Sequence, residues 1–245
     1  MTWIGSFLLG LFSTLLIQRL SRPSSCTIAL GTYKGREYEP PSHQRECLVE
    51  SKYLKVQQHT VTIPGSNPPV TVADWLWIDY HDRINVLVQL ASNNNNNSNN
   101  KEPTFLIFEQ TKYALEGKVS LAIVGGIVEP GEQATATAPR EVREETGMEC
   151  ATPFVPLGRY RTDVNRGMGW THTFLAQDCR PVGKGTAAAG SDKDEVGGHD
   201  TERQDTKEMT LEELRHAVQK GEFMEIQWSA TVALAIMHID ENNSS

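Results

Sequence analysis

Positive charge is in deficit in this chain: 23 Lys and Arg stand against 31 Asp and Glu, a net charge of −8. That balance excludes a nucleic-acid backbone as the main partner, because binding one requires a basic face. It does not exclude a small phosphate-rich molecule whose charge metal ions neutralise. Cysteine is scarce as well. Cys26, Cys47, Cys150 and Cys179 show neither paired metal-ligand spacing nor the density of a disulfide scaffold, and they read as free thiols. Long apolar runs are missing with one exception, residues 3–17, WIGSFLLGLFSTLLI. The remainder, at 38% hydrophobic and 22% charged, is ordinary material for one globular domain with extensions.

The apolar run spans about 22 Å as a helix, short of a hydrocarbon core of about 30 Å. Arg19 and Arg22 follow it, whereas a cleaved signal peptide carries its positive charge first and ends on small residues. Residues 1–22 are therefore expected to anchor the chain in a membrane with its C-terminal side cytoplasmic. A secretory signal and an organelle presequence are the alternatives. Residues 23–45, rich in Ser, Pro and Gly, read as a linker, and 46–240 as the folded domain.

Within that domain, residues 47–57 and 59–63 suggest a strand pair, with 64–69, PGSNPP, as a turn. Strands follow at 70–78, 84–90, 104–108, 119–124, 154–160 and 170–176. The asparagine tract within 92–101 and the Gly- and Ala-rich stretch of 181–206 read as insertions that cannot bury apolar surface. Late in the chain Thr210 and Glu213 form a capping-box signature, with Gly221 as the stop. A last apolar helix is expected over 226–238. Strands first and helices late imply an α+β fold.

The chemistry concentrates in residues 126–148, GIVEPGEQATATAPREVREETGM. On a helix Glu141, Glu144 and Glu145 sit at i, i+3 and i+4 and share a face. Like charges at those spacings repel, and Glu144 and Glu145 lie near the helix C-terminus, where the macrodipole disfavours anions. A divalent cation would remove both penalties, and oxygen-only ligands suit Mg²⁺. The stretch resembles the Nudix box, G-x5-E-x7-R-E-U-x-E-E-x-G-U with U aliphatic. Gly126, Glu132, Arg140, Glu141, Val142, Glu144, Glu145, Gly147 and Met148 fill its specified positions at the right spacing. Pro139 departs from the usual box. Either the helix starts late, with Thr135 or Thr137 as N-cap, or it is kinked there.

The resemblance implies a Nudix-type α/β/α sandwich, with the box as loop-helix-loop against a mixed sheet. It also implies hydrolysis of a pyrophosphate link in a nucleoside diphosphate derivative, with Mg²⁺ or Mn²⁺. By position, Glu141, Glu144 and Glu145 are the carboxylate metal ligands and the Gly125 carbonyl a backbone ligand. Glu144 and Glu145 are also catalytic candidates, while Gly126, Glu132, Arg140 and Gly147 are structural. The nearest branch is the ADP-ribose and ADP-sugar pyrophosphatases, on the strength of Gln110 and Lys112 before the box and the late helix pair. Arg161 and Arg166 are then expected on substrate phosphates. The base of that branch is a late-loop glutamate, here Glu202, with Glu195 and Asp205 as rivals. A homodimer is expected. Dinucleoside polyphosphates, coenzyme A and nucleoside triphosphates are alternative substrates. A non-catalytic binding protein of the same fold is the alternative class, and the intact box counts against it.

Overall fold

A computed structural model describes residues 26–37, 44–65, 67–92, 102–182 and 204–244. Eleven strands form one mixed sheet: β1 (Ile28–Ala29), β2 (Gln44–Glu50), β3 (Leu54–Ile63), β4 (Val70–Tyr80), β5 (Arg83–Leu90), β6 (Thr104–Gln110), β7 (Ser120–Ala122), β8 (Val124–Ile127), β9 (Met148–Asp163), β10 (Gly167–Pro181) and β11 (Gln204–Thr210). The order is β1-β2-β3-β4-β10-β5-β6-β11, with β7 on β6, β8 on β5 and β9 on β10. β10 runs parallel to β4 and β5, and β1 parallel to β2. The helices are α1 (Ala134–Thr146), α2 (Leu211–Lys220) and α3 (Ile226–Asn243).

The core explains which segments read as continuous apolar runs. Ile84, Val86, Leu87 and Val88 of β5 are fully buried, as are Phe105, Ile107 and Phe108 of β6, because helices cover both faces of these strands. β5 and β6 pair only at Val88 and Gln89 and then splay. The chain segment expected as one strand at 119–124 fills the gap as two: β7 pairs β6 and β8 pairs β5. Side chains on β5 alternate between faces. Gly126, paired with Ile84, meets α1, whereas Arg83 reaches Glu225 at the start of α3. The two helices therefore sandwich the sheet.

The late helices follow their sequence signals. Thr210 Oγ1 accepts from the Glu213 N–H, Glu213 accepts in return, and Gly221 closes α2 at φ 70°. α3 buries Trp228, Val232, Ala235, Ile236 and Ile239 at helical spacing, and continues to Asn243, past the expected end at His238.

Several expectations change. The segment read as a linker, 23–45, carries β1 on β2, a buried Tyr33 whose ring meets His81 edge-on, and a disulfide from Cys26 to Cys47. A few anchors suffice there despite the polar composition, so the fold begins before residue 46. The free-thiol reading is overturned: Cys26–Cys47 and Cys150–Cys179 are both bonded. The second joins β9 to β10, whose antiparallel register brings residues 29 apart in sequence to a Cα separation of 3.9 Å. In the stretch read as an insertion, 181–206, Gln204–Thr206 already belongs to β11, held on β6 opposite Gln110 to Phe108. The first hairpin turns at 51–53, so β3 starts at Leu54. The apolar run at 3–17 and the asparagine tract at 93–101 lie outside the described residues, and no described helix is long and apolar enough to cross a membrane.

Pro139 is neither in a first turn nor next to a late N-cap. α1 starts at Ala134, with Gln133 as a cap that makes no side-chain bond, and Pro139 is interior. An interior proline removes a helical N–H and costs about 3 kcal/mol, offset by up to about 1 kcal/mol from the stiffer unfolded chain. Pro139→Ala should therefore raise unfolding free energy by about 2 kcal/mol, read from the denaturant midpoint.

His59 and His81 are buried, and burial holds both imidazoles below the ordinary value of 6.5. They stay neutral in the fold and take up protons when it opens. Their contribution is thus intact above pH 6.5 and is lost as pH falls below it. The melting temperature should drop between pH 6.5 and 5, and His81→Gln should flatten that slope.

Candidate active site

The loop before α1 turns at Gly131, in the left-handed region at φ 86°, and Glu132 returns its carboxylate to the Glu129 N–H at 3.3 Å. That loop conformation presents Glu132 to Arg140. The guanidinium donates from Nε to Glu132 Oε1 and from Nη2 to Oε2, both at 3.0 Å. Its Nη1 lies 3.0 Å from Glu141 Oε1 and 3.0 Å from Glu144 Oε2, and Nη2 also reaches the Ile127 carbonyl at 3.4 Å. One arginine therefore ties the loop, the end of β8 and two positions of α1.

Glu141 sits only 8% exposed, against the backbone of Gly126. A Cβ at position 126 would fall 2.2 Å from the Glu141 carboxyl, so only glycine admits this helix at this distance. Burial pushes the Glu141 carboxyl up to about 7, against the pull of Arg140 and with a further push from Glu144. Burial raises the Glu132 carboxyl too, but its hydrogen bonds from Arg140 and Thr137 outweigh that and leave it below the usual range. Bonding to Glu132 holds the Arg140 guanidinium firmly protonated. Gly147 ends α1 at φ 64°, its N–H on the Arg143 carbonyl.

The structure thus brings Gly126, Glu132, Arg140, Glu141 and Glu144 together. Glu145 is exposed one residue on, and Gly125 pairs with Asn85 on β5. Among the described residues no three His, Cys, Asp or Glu converge in a metal-holding cluster. The countercharge that Glu141 and Glu144 have here is Arg140.

The other expected residues disperse. Gln110 is buried at the end of β6, opposite Ser120 and Gln204. Lys112 acts on Glu225, whose carboxyl burial raises while Arg83 and Lys112 pull it back. Arg161 is structural: it stacks over Trp170 at 4.4 Å and donates to the carbonyls of Gly167 and Gly169. Arg166 stacks over Trp75 at 5.5 Å. Glu202 and Glu195 lie outside the described residues, and Asp205 stands on β11 across from Glu109.

A cleft was not anticipated. About 460 Å³ in volume, it lies between α3 and the β9–β10 turn, with Ile78, Tyr80, Arg83, Thr162, Met168 and Gln227 on its walls. Arg83 pairs in register with Ile127, the residue whose carbonyl Arg140 holds, so one rung of the sheet serves both the box and the cleft. A lone arginine opening an apolar strand was the available signal for Arg83. Met168 has φ 59° between Gly167 and Gly169, also at positive φ. A left-handed non-glycine residue costs about 1 kcal/mol and persists only where its surroundings fix it.

The sandwich and the box together define a hydrolase scaffold of one kind. A family model of the NUDIX domain matches residues 94–228, more than half of the chain. The chain belongs to the Nudix family. A solved structure described as an ADP compounds hydrolase is similar at 16% identity and a TM-score of 0.58, over 84% of this chain and 96% of that one. That likeness establishes the shared fold. No curated protein matches the chain.

Removing Arg140 leaves Glu132, Glu141 and Glu144 without their shared cation. Arg140→Gln should lower unfolding free energy by about 2 kcal/mol in chelator, less than for a fully buried pair because the guanidinium is part exposed. Denaturant titration measures it.

Proposed function

We propose that the chain is a divalent-metal-dependent pyrophosphohydrolase acting on nucleoside diphosphate derivatives, with ADP-ribose or an ADP-sugar as substrate and AMP plus a sugar phosphate as products. The observation that carries this reading is the Glu141 carboxylate, buried against Gly126 with Glu144 and Glu145 in the next turn.

The residues fit a hard cation. The donors are oxygens only: Glu141, Glu144, Glu145 and the Gly125 carbonyl. The glycine cradle lets the carboxylate and the strand backbone stand together, and a buried carboxyl raised to about 7 is one that a dication would return to its charged form. When bound, Mg²⁺ or Mn²⁺ would neutralise phosphate oxygens and acidify a water. The chain's own share is orientation. Arg140 and Glu132 fix the loop against α1, and Gly126 fixes the height of Glu141 above the sheet. Glu202 is the proposed base.

The similar structure described as an ADP compounds hydrolase supports the substrate reading, as does Lys112 beside Glu225 at the start of α3. Chelator should abolish hydrolysis, and Mg²⁺ or Mn²⁺ should restore it. Glu144→Gln and Glu145→Gln should each lower kcat by about two orders of magnitude or more without loss of fold. Full activity in Glu145→Gln overturns the ligand set. A panel of ADP-ribose, ADP-glucose, diadenosine polyphosphates, coenzyme A and nucleoside triphosphates tests the substrate by kcat/KM. A preference of about tenfold, about 1.4 kcal/mol, for a compound that is not an ADP-sugar overturns it.

A further inference from the structure

The cleft beside Arg83 is built with more care than a surface hollow requires. Its outer wall is the turn Gly167-Met168-Gly169, three successive residues at φ 86°, 59° and 71°. Both glycines are forced by close approach. A Cβ on Gly167 would fall 2.5 Å from the Ile78 carbonyl oxygen, and one on Gly169 would fall 2.2 Å from that of His81. The turn is then pinned from outside. Arg161 donates to the carbonyls of Gly167 and Gly169, Thr162 Oγ1 donates to that of Met168 at 3.1 Å, and the Ile78 N–H donates to Arg166 O at 2.8 Å. The outcome is one unfavourable backbone conformation, at Met168, maintained beside a cleft.

The remaining walls have complementary chemistry. Ile78, Tyr80 and Met168 offer an apolar surface. Gln227 has its Oε1 engaged by the Thr171 hydroxyl at 2.6 Å, which leaves its NH₂ to donate. Arg83 meets Glu225 only loosely, at 3.8 Å, and its buried Nε has no hydrogen-bond partner. A flat ring with acceptor nitrogens, carrying a phosphate, matches an apolar wall, an amide donor and a guanidinium in that arrangement. The volume of about 460 Å³ lies in the range of small-molecule sites.

We propose that this cleft is the nucleoside subsite: the base lies against Ile78, Tyr80 and Met168, Gln227 donates to its edge, and Arg83 holds the adjoining phosphate. The shared Arg83–Ile127 rung lets a diphosphate at the box continue into the cleft. Met168 and Arg83 are thus specificity-determining residues. The inference rests on the nucleoside diphosphate reading above.

The test is titration of AMP into the full chain in chelator, so that the box carboxylates bind no metal, with Ile78→Trp to fill the cleft and Met168→Gly to strip its wall. Met168→Gly removes the side chain and relieves the backbone together. Its melting temperature should be unchanged or higher while AMP affinity falls several-fold. A merely structural methionine gives a lower melting temperature with AMP affinity unmoved. Ile78→Trp should weaken AMP by about tenfold, and inorganic pyrophosphate as an inhibitor of the metal-loaded protein should be unaffected in both variants. The subsite is overturned if the parent binds no AMP, or if both folded variants bind it within about twofold of the parent. Hydrolysis of ADP-ribose with KM unchanged in both variants overturns the subsite and leaves the hydrolase reading intact. AMP binding that responds as expected, in a protein that hydrolyses no nucleoside diphosphate derivative, supports the subsite and defeats the hydrolase reading.

Discussion

Glu141 and Gly126 are in contact across the joint between α1 and β8, and the rest of the arrangement follows from that approach. A carboxylate taken out of water loses hydration worth several kcal/mol and is tolerated only if charge or hydrogen bonds replace it. Here the replacement is Arg140, which must also serve Glu132 and Glu144. One guanidinium cannot neutralise three carboxylates, and the Glu141 carboxyl responds by rising to about 7. The protein thus holds, in a buried position, a group whose charged form is incompletely compensated. That is the condition under which an added dication gains most from binding.

The constraint propagates through the strands. β8 must present a glycine to α1, and its neighbour Gly125 a glycine to Asn85, whose Oδ1 would stand 3.0 Å from a Cβ there. The two faces of the β5–β8 pair therefore differ. One receives α1 and the carboxylates. The other carries a row of polar side chains under α3, with Asn85, Thr171, Thr173 and Thr231 all buried. Polar groups in such a layer fix register and helix placement more than they add stability. The Thr171–Gln227 bond, at 2.6 Å, sets where α3 begins relative to the cleft.

How much of this the sequence carried depends on how local each feature is. The three glutamates, the loop pair Glu132 and Arg140 and the cap at Gly147 are separated by a few residues, so spacing alone places them. The α2 cap, Thr210 with Glu213, is legible for the same reason. The disulfides were not, because Cys150 and Cys179 meet only through the β9–β10 register, and Cys26 and Cys47 only after a polar segment folds back. The roles of Arg161 and Arg166 were misread because charge marks a residue as available while stacking on Trp170 and Trp75 marks it as engaged. Arg83 and Met168 gave almost no local signal. Their setting comes from strands that are distant in sequence.

The two helices α1 and α2 show where local rules are kept and where they are broken. α2 has a reciprocal N-cap, Glu212 and Glu213 in its first turn, Lys220 in its last and glycine at its end, each worth a few tenths to about 1 kcal/mol. α1 has no side-chain cap, no acidic residue in its first turn, a proline in its interior, and Glu144 and Glu145 at the end where the dipole opposes them. Both helices lie in one chain under one set of solvent conditions, so composition cannot account for the contrast. Violations of local preference collect where something other than stability selects the residues. In this fold they collect in the helix that carries the carboxylates. α2 bears none of the box and obeys the rules throughout. The same logic singles out the Gly167–Gly169 turn, where a left-handed methionine is held in place by an arginine, a threonine and the β4 backbone.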